Sequence, residues 1–384
     1  MSLNRARLFA AIALAAVLSE RGFTAPLPDQ NEIAKYDPRM AAEKAVVTNG
    51  VKWIDGRHLP IEGRAFDDVA NYYDRLPANV TTNVNGGVRA MKNHSSGMQF
   101  RFTTDSKRLT IRWAPINGSL SMDHMPSTGV SGIDIYRFDA GTGKWRYVKT
   151  GRIHSPKGAE TTLSWTPGTP CLINLPLYNG IRSFSLGIDA DATVSALPPR
   201  ASGVNKPVVF YGTSITHGGC CSRPGLSFVN IVGRDLDVPV VNLGFSGSGK
   251  MELEMSEHIA RIDASCYVLD CVWNMNEATV RANYEPFIRN LRRLRPDTPI
   301  VMAEWCDVFH RQGDKRDAFM KDLHARLVAE GWKNLVYLPK DNMFGDDGEG
   351  TVDGCHPNDL GMRSLANAFG AAVREALGLP ASGD

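Results

Sequence analysis

The sequence predicts two domains of different class: an all-β sandwich of jelly-roll-like type over residues 48–195 and a doubly wound α/β domain over residues 207–384. In the first half, short runs such as "MQFRFTT" and "LTIRWAP" alternate apolar with polar residues and are separated by turn residues, a pattern typical of antiparallel strands. In the second half, apolar runs are each followed by a segment of helical length, which is typical of a parallel sheet covered by helices. These runs read "VVFYG", "PVVNLG", "CYVLDCV", "PIVMAEW" and "NLVYLP". Between the halves, residues 196–206 have the Pro, Gly and Ser content of a linker.

The N-terminus has the pattern of an export signal. Arg5 and Arg7 precede "LFAAIALAAVLS", which is too short to cross a bilayer and has the length of a signal-peptide core. We therefore predict a signal peptide over residues 1–25, an N-terminal arm over residues 26–47, and a secreted or periplasmic protein. The alternative is a buried or frayed N-terminal helix in a cytoplasmic protein. No other segment is long and apolar enough to predict a membrane span.

The overall charge disfavours a nucleic acid or an anionic membrane as the main partner. The 384 residues contain 43 Lys and Arg against 41 Asp and Glu, a net charge of +2. The chemistry must therefore be inferred from particular residues.

The cysteines predict neither a disulfide framework nor a metal centre. There are seven, an odd number, and they lack the paired C-x-x-C spacing of a zinc site. We expect single buried or half-buried thiols, with room for one bridge if the protein is exported. The sequence predicts no metal and no cofactor.

The stretch "NLGFSGSGKM" has the outline of a phosphate-binding loop. Gly244 to Lys250 match the first seven positions of G-x-x-x-x-G-K-[ST]. The eighth position is Met251, whose thioether is a poor ligand for Mg²⁺. Glycines also occur at strand-to-helix turns for steric reasons alone. The sequence therefore disfavours nucleotide binding.

Three residues at predicted strand ends and loops have the types needed for nucleophilic catalysis. Ser214 follows the first apolar run of the α/β domain, and Asp353 precedes His356 by three residues in "TVDGCHPND". A serine hydroxyl needs an adjacent base, and a histidine base needs an acceptor that fixes its tautomer. Each motif alone is also typical of a helix cap with a solvent-exposed histidine. Together they predict a Ser214, His356 and Asp353 triad.

Two further strand ends offer hydrogen-bond donors for an oxyanion. Gly247 follows the second run of the α/β domain and provides an unhindered backbone N–H, while Asn274 follows the third run and provides a side-chain amide. Acyl transfer from an ester requires such donors. A helix-entry turn at Gly247 and a locally satisfied amide at Asn274 are the structural alternatives.

These blocks, in this order, resemble the SGNH (GDSL-type) hydrolases. The resemblance rests on Ser214 in "GTSIT", Gly247 in "NLGFSG", Asn274 in "DCVWNM" and the Asp353 and His356 pair in "DGCHP", and it covers residues 207–384. The first block departs from Gly-Asp-Ser-Leu, and the third reads Cys-Val-Trp-Asn rather than Gly-x-Asn-Asp. In the N-terminal half, "GIDIY" is similar to the GxDLY motif of one subgroup.

The resemblance implies a flavodoxin-like parallel sheet and a role for each site residue. Ser214 would be the nucleophile, His356 the general base and then acid, and Asp353 its orienting partner. The Ser214 amide, the Gly247 amide and the Asn274 side chain would form the oxyanion hole. The implied enzyme is a carboxylic ester hydrolase that works through an acyl-serine intermediate, with no cofactor.

The resemblance leaves the acyl acceptor open. Relatives are mostly esterases that remove small acyl groups, often acetyl from carbohydrates, so we expect a small-molecule or polysaccharide ester as substrate. An acyltransferase using the same site is the first alternative. A carbohydrate-binding protein with an inactive hydrolase domain is the remote one.

Several other residues near the motifs are weaker candidates for substrate binding, each with an equally common structural role. These are Thr213, His217, Arg223, Trp273 and Trp305. Residues 122–132 are rich in turn formers and would form a wall over the site. Cys220, Cys221 and Cys355 flank the motifs, and packing is the favoured interpretation of their thiols.

Overall fold

The computed structural model of the chain describes residues 45–80, 84–309, 311–341, 343–345 and 347–380. The predicted signal peptide over residues 1–25 lies outside these ranges, as does all but the end of the predicted arm over residues 26–47. No helix in the described ranges is both long and apolar enough to cross a membrane.

The N-terminal half consists of two antiparallel sheets that share one core. In the first sheet the strand order is β1-β2-β10-β5-β8, with β1 Val46–Thr48, β2 Val51–Asp55, β5 Arg108–Pro115, β8 Ala159–Ser164 and β10 Ile181–Asp189. In the second it is β11-β4-β9-β6-β7, with β4 Gln99–Thr104, β6 Ile133–Asp139, β7 Lys144–Gly151, β9 Cys171–Asn174 and β11 Val194–Ala196, and with β3 Ile61–Glu62 beside β4. Alternating residues of both sheets, such as Phe100, Ile111 and Phe184, are buried between them. Short helices α1 Gly86–Met91 and α2 Ser127–Val130 and a 3-10 turn at Gly56–His58 lie in the connections.

The C-terminal half is a five-stranded parallel sheet with helices on both faces. Its strands are β12 Val208–Gly212, β13 Val240–Gly244, β14 Cys266–Asp270, β15 Ile300–Ala303 and β16 Leu335–Leu338. Its helices are α3 Ser214–His217, α4 Phe228–Asp235, α5 Leu253–Ala260, α6 Glu277–Leu294, α7 Lys315–Ala329 and α8 Asp359–Ala376, with 3-10 turns at Pro224–Leu226 and Val272–Asn274. The strand order β13-β12-β14-β15-β16 is the flavodoxin-like order. The predicted fold class, an antiparallel β domain followed by a doubly wound α/β domain, is confirmed.

The two halves are packed into each other. Between β3 and β4, apolar side chains of the N-terminal half, including Phe66, Leu76 and Val88, join the core on one face of the parallel sheet. Met125 and Leu177 join the core on the opposite face. Part of the segment predicted as β-sandwich therefore supplies core residues to the α/β domain.

Candidate active site

The carboxyl ends of three neighbouring parallel strands define the site. Gly212, the last residue of β12, is level with Gly244 at the end of β13 and with Asp270 at the end of β14. The predicted nucleophile Ser214 is the first residue of α3, two residues beyond β12. This is the topological switch point of the sheet, where ligands bind in doubly wound folds.

The three residues predicted as a triad lie in one hydrogen-bonded chain. Ser214 Oγ is 2.9 Å from His356 Nε2, and His356 Nδ1 is 2.7 Å from Asp353 Oδ2. The other carboxylate oxygen of Asp353 accepts the backbone N–H groups of Cys355 and His356 at 3.0 and 2.7 Å. The carboxylate is therefore fixed on both sides, and the imidazole presents Nε2 to the serine hydroxyl.

The loop that carries His356 is held at both ends. Thr351 pairs with Pro357 in an isolated bridge, and its hydroxyl donates to the carbonyl of His356 at 2.9 Å. Asn358 then caps α8 by accepting the N–H groups of Leu360 and Gly361. The proposed base therefore lies in a short turn between β16 and α8 that is stabilised by hydrogen bonds across it.

The surroundings favour the charged form of His356. A hydrogen bond with the Cys355 side chain is the largest effect; partial burial opposes it and the hydrogen bond to Asp353 adds to it, so that the pKa of His356 is raised to about 9. Partial burial by itself would raise the pKa of Asp353, but hydrogen bonds from His356 and Cys355 outweigh it and hold that pKa below its usual value. These contacts favour the ionised form of Asp353 and the protonated form of His356.

The predicted oxyanion donors lie on the loops beside Ser214. Gly247 is exposed and has a positive φ of +63°, a backbone conformation that favours glycine. Asn274 closes the 3-10 turn after β14. In one orientation of its side-chain amide, the oxygen accepts hydrogen bonds from the N–H groups of Ser248 and Gly249, at 3.1 and 3.2 Å. The reverse orientation gives only the longer Nδ2 contacts of 3.4 and 3.3 Å to the Phe245 and Gly249 carbonyls. We adopt the first orientation because it satisfies two backbone donors and leaves the NH₂ group free of this loop.

The glycine-rich stretch serves close packing of the strand ends. A Cβ on Gly249 would lie 2.0 Å from the carbonyl oxygen of Gly212, and one on Gly244 would lie 2.1 Å from the backbone nitrogen of His217. Met251, at the position where a phosphate loop has its metal-binding hydroxyl, is fully buried in the core. These residues bring the loops close to Ser214 and leave no hydroxyl for a nucleotide-bound metal.

The N-terminal domain reaches the site from the other side. The ring of His124 lies 5.7 Å from that of His356, measured between centroids. The Tyr178 hydroxyl donates to the carbonyl of Ser214 at 3.0 Å. The loop of His124 is held against the α/β domain because the Thr128 hydroxyl donates to the Ser222 carbonyl at 2.6 Å. The turn-rich segment 122–132 therefore borders the proposed site.

His217 does not bind substrate, contrary to one interpretation of the sequence, and it does not face solvent either. Its ring is fully buried, stacks on Tyr178 at 4.1 Å and contacts Arg75 and His94 through Nε2, at 3.3 Å each. Burial, and then the positive charge of Arg75, lower its pKa well below the ordinary value, so the ring is neutral. The contacts come from the N-terminal domain, whose packing over α3 no local pattern predicts.

Three of the other weak candidates also have structural roles. Thr213 is buried, and its hydroxyl caps α3 by accepting the Ile215 N–H at 3.2 Å. Trp305 is 1% exposed, and its indole N–H donates to Asp317. Arg223 pairs with the buried Asp134 of the "GIDIY" motif at 2.7 Å. Thr213 and Trp305 are enclosed by the fold, and Arg223 ties the two domains together.

Trp273 has a partly exposed side chain beside the His356 loop. It stacks on Trp305 with 4.6 Å between ring centroids, and its indole N–H donates to the sulfur of Cys355. Its place as a substrate-binding residue remains a proposal.

The sequence motifs did not identify His124 or Tyr178, and packing was the favoured interpretation of the site cysteines. Cys355 contacts His356 and Trp273, and it is half-buried. Burial, with Asp353 and Cys355 adding to it, raises the pKa of Cys220 to about 12, so its sulfur is a neutral thiol at pH 7. Adjacency in the chain pointed to Cys355. Nothing local pointed to His124 or Tyr178, because they come from the other domain.

Comparisons with known proteins agree with this architecture. Residues 205–374 match the model of the GDSL-like lipase/acylhydrolase family, and residues 51–194 match the GxDLY domain, the N-terminus of SGNH-hydrolase-type esterases. No curated protein matches the chain.

Solved structures with both domains are similar to the chain. A GDSL-like lipase from Bacteroides ovatus is 27% identical, with a TM-score of 0.75 over 85% of this chain and 98% of that one. A salicylyl-acyltransferase from a tetracycline biosynthetic pathway is 18% identical, with a TM-score of 0.69 over 87% and 99%. A family two carbohydrate esterase from Cellvibrio japonicus is 14% identical, with a TM-score of 0.56 over 85% and 98%. The last two show likeness of fold alone.

Proposed function

Because the chain belongs to the GDSL-like lipase and acylhydrolase family, with the GxDLY type of N-terminal domain, we propose that it is a serine esterase that hydrolyses small acyl esters through an acyl-serine intermediate. The observation that carries the proposal is the continuous chain of contacts from Ser214 Oγ through the His356 ring to the Asp353 carboxylate. These are the types and order of group that activate a serine alcohol.

Acylation begins when the deprotonated His356 takes the hydroxyl proton of Ser214 through Nε2. The serine oxygen forms a bond to the ester carbonyl carbon, and the carbonyl electrons move to its oxygen. His356 then gives the proton to the leaving alcohol as the carbon–oxygen bond of the ester breaks. Asp353 stabilises the imidazolium between these two transfers through its 2.7 Å contact to Nδ1.

The negatively charged oxygen of the tetrahedral intermediate would accept hydrogen bonds from three donors that follow adjacent strands. In the proposal these are the backbone N–H groups of Ser214 and Gly247 and the NH₂ group of Asn274. The orientation that places the Asn274 oxygen on the Ser248 and Gly249 N–H groups supports this role for its nitrogen. Removing one such donor costs typically 10²- to 10³-fold in kcat.

Deacylation repeats the sequence with water as the nucleophile. His356 takes a proton from the water, whose oxygen attacks the acyl carbon, and the same proton returns to Ser214 Oγ as the carboxylic acid leaves. No group other than the triad and the oxyanion donors is required for either half of the reaction.

An acetylated carbohydrate is the substrate class we propose. The fold resemblance to family two carbohydrate esterases supports it. Two aromatic side chains at the site offer a surface for a sugar ring: Trp273 is partly exposed, and Phe309 is 64% exposed and lies against Gly354 of the His356 loop. We expect export from the cell to bring the enzyme to such a substrate.

A panel of p-nitrophenyl esters tests the short-acyl assignment. The acetyl ester should be turned over faster than longer esters, and rapid quenching followed by intact mass measurement should find one acetyl group on the peptide that contains Ser214. A preference for long acyl chains would contradict the small-acyl substrate while leaving the serine mechanism standing.

Acyl transfer to an alcohol is the second candidate, because the His124 ring of the N-terminal domain lies beside the proposed base, with 5.7 Å between the centroids of the His124 and His356 rings. Side chains of a second domain beside an acyl-serine would limit the access of water to it. The likeness of fold to a salicylyl-acyltransferase is consistent with it. If added alcohols or sugars form ester products faster than water forms free acid, transfer is the principal activity.

A further inference from the structure

The proposed base, His356, lies close to two other side chains that can bind a metal ion, one from each domain. One ring nitrogen each of His124 and His356 and the sulfur of Cys220 all lie within 4.8 Å of one another. The three residues come from separate segments: the His124 loop of the N-terminal domain, the turn after α3, and the loop before α8. Two imidazoles and a thiol form a donor set suited to a thiophilic divalent cation such as Zn²⁺.

The separations are close to those of a tetrahedral zinc centre. Zn–N bonds of about 2.0–2.1 Å and a Zn–S bond of about 2.3 Å place the ligand atoms about 3.4–3.6 Å apart. The three atoms would therefore have to approach by no more than about 1.4 Å. The exposed side chain of His124 has the freedom to make most of this movement.

The hydrogen bond to Asp353 prepares His356 as a ligand. Its Nδ1 contacts the Asp353 carboxylate at 2.7 Å, which leaves Nε2 as the ring nitrogen available to a metal. A carboxylate behind a metal-bound imidazole fixes its tautomer and raises its basicity. The triad thus already contains the outer partner that zinc-binding histidines normally have.

We propose that His124, Cys220 and His356 bind one Zn²⁺ ion, with water in the fourth position, and that the bound ion inhibits the enzyme reversibly. The ion would take the Nε2 lone pair that otherwise accepts the Ser214 proton, and the Cys220 thiol would release its proton to solvent. The inhibitory consequence rests on the proposed esterase function, whereas binding itself does not.

A second triplet, Asp353, Cys355 and His356, also has ligand atoms within 4.8 Å of one another. It is the poorer site. Asp353 already accepts two backbone N–H groups and the His356 ring, and the sulfur of Cys355 accepts the Trp273 indole N–H. A metal there would have to displace these contacts, and it would compete with Asp353 for Nδ1.

Calorimetric titration of the metal-free protein with ZnCl₂ tests binding without reference to activity. We expect one equivalent to bind, Cys220→Ala and His124→Ala to weaken binding at least tenfold, and Cys355→Ser to retain it. Cys266→Ala, in the buried strand β14, and His154→Ala, on the surface, are matched controls that should bind like the wild type. Co²⁺ in place of Zn²⁺ should give a thiolate charge-transfer band that is absent from Cys220→Ala.

The Ser214→Ala variant distinguishes zinc binding from the proposed inhibition of ester hydrolysis. It keeps every proposed ligand, so it should bind Zn²⁺ with wild-type affinity even though it cannot form an acyl-enzyme. In the wild type, ester hydrolysis should fall over the same range of Zn²⁺ concentration as binding, and EDTA should restore it. Absence of a one-equivalent site, equal binding by Cys220→Ala and His124→Ala, or loss only in Cys355→Ser would overturn the proposal.

Discussion

At the residue scale, one sulfur has the largest influence on the protonation of the proposed base. The hydrogen bond between Cys355 and the His356 imidazole contributes more than any other group to raising the pKa of His356 to about 9. Only the neutral imidazole can accept the Ser214 proton, so the active fraction of the free enzyme grows as pH approaches that value. In the proposed mechanism, Cys355 therefore lowers the fraction of His356 that can act as a base at neutral pH.

Replacing Cys355 by Ala should move the pH profile to lower pH. For the wild type with EDTA present, kcat/KM should rise about tenfold per pH unit below the pKa and level off near pH 9. In Cys355→Ala the plateau should begin at lower pH, with kcat/KM at pH 7 raised by about tenfold or more. The measurement is initial rates of p-nitrophenyl acetate hydrolysis from pH 5 to 10. Coincident profiles for the two proteins, with Cys266→Ala as the control, would refute the role of Cys355.

At the scale of elements, the turns after β12 and β13 are held in place by close contacts between their backbone atoms. The Phe245 N–H donates to the Gly212 carbonyl at 3.0 Å, and the missing Cβ of Gly249 lets a second part of the same loop reach that oxygen. This packing sets the distance between the loop of Gly247 and the helix of Ser214. The sequence suggested a steric role for these glycines, and the structure identifies the atoms that impose it.

Gly249→Ala should destabilise the protein strongly. Its Cβ would lie 2.0 Å from the Gly212 oxygen, a contact that only movement of the backbone can relieve, and we expect a loss of about 3 kcal/mol or more in the free energy of unfolding. Gly118→Ala, where nothing lies within 4 Å of the added carbon, should change it by less than about 0.5 kcal/mol. Urea denaturation of both variants makes the comparison. If Gly249→Ala and Gly118→Ala had equal free energies of unfolding, the prediction would be wrong, because the turn would accommodate the added carbon without cost.

At the scale of the whole molecule, the "GIDIY" motif joins the two domains. Asp134 is fully buried and accepts hydrogen bonds from the Arg223 guanidinium at 2.7 Å, the Gly225 N–H at 2.9 Å and the Asn174 amide at 2.8 Å. Arg223 and Gly225 belong to the α/β domain, so the motif fixes the surface from which His124 and Tyr178 reach the site. The motif has a structural role. It would affect the chemistry of the site only by positioning the side chains that the N-terminal domain contributes.

Asp134→Asn should weaken the union of the domains, because it leaves the half-buried Arg223 without a charged partner. We expect a loss of about 3 kcal/mol in the free energy of unfolding. Glu160→Gln, which breaks the exposed pair with Arg112, should cost less than about 1 kcal/mol. Differential scanning calorimetry should also resolve separate domain transitions in Asp134→Asn. A variant as stable as Glu160→Gln would contradict the anchoring role.

The meeting of Ser214, His356 and Asp353 could be predicted because these residues lie in short motifs at strand ends and loops, where the chemistry of each residue type is distinctive. Ser214, Asp353 and His356 needed no knowledge of distant contacts. His124, Tyr178 and the burial of His217 and Trp305 could not be predicted, since each depends on which segments of the two domains meet. The same limit explains why Phe66, Leu76 and Val88, which were predicted to belong to the β-sandwich, instead join the core of the parallel sheet.

The most direct test of the whole account compares ester hydrolysis by the wild type, Ser214→Ala and Ser164→Ala, the last an exposed serine at the end of β8. With p-nitrophenyl acetate and EDTA present, Ser214→Ala should lose at least about 10³-fold in kcat/KM, whereas Ser164→Ala should match the wild type. Circular dichroism of all three should be the same. An active wild type with an equally active Ser214→Ala variant would contradict the central claim that this serine is the nucleophile.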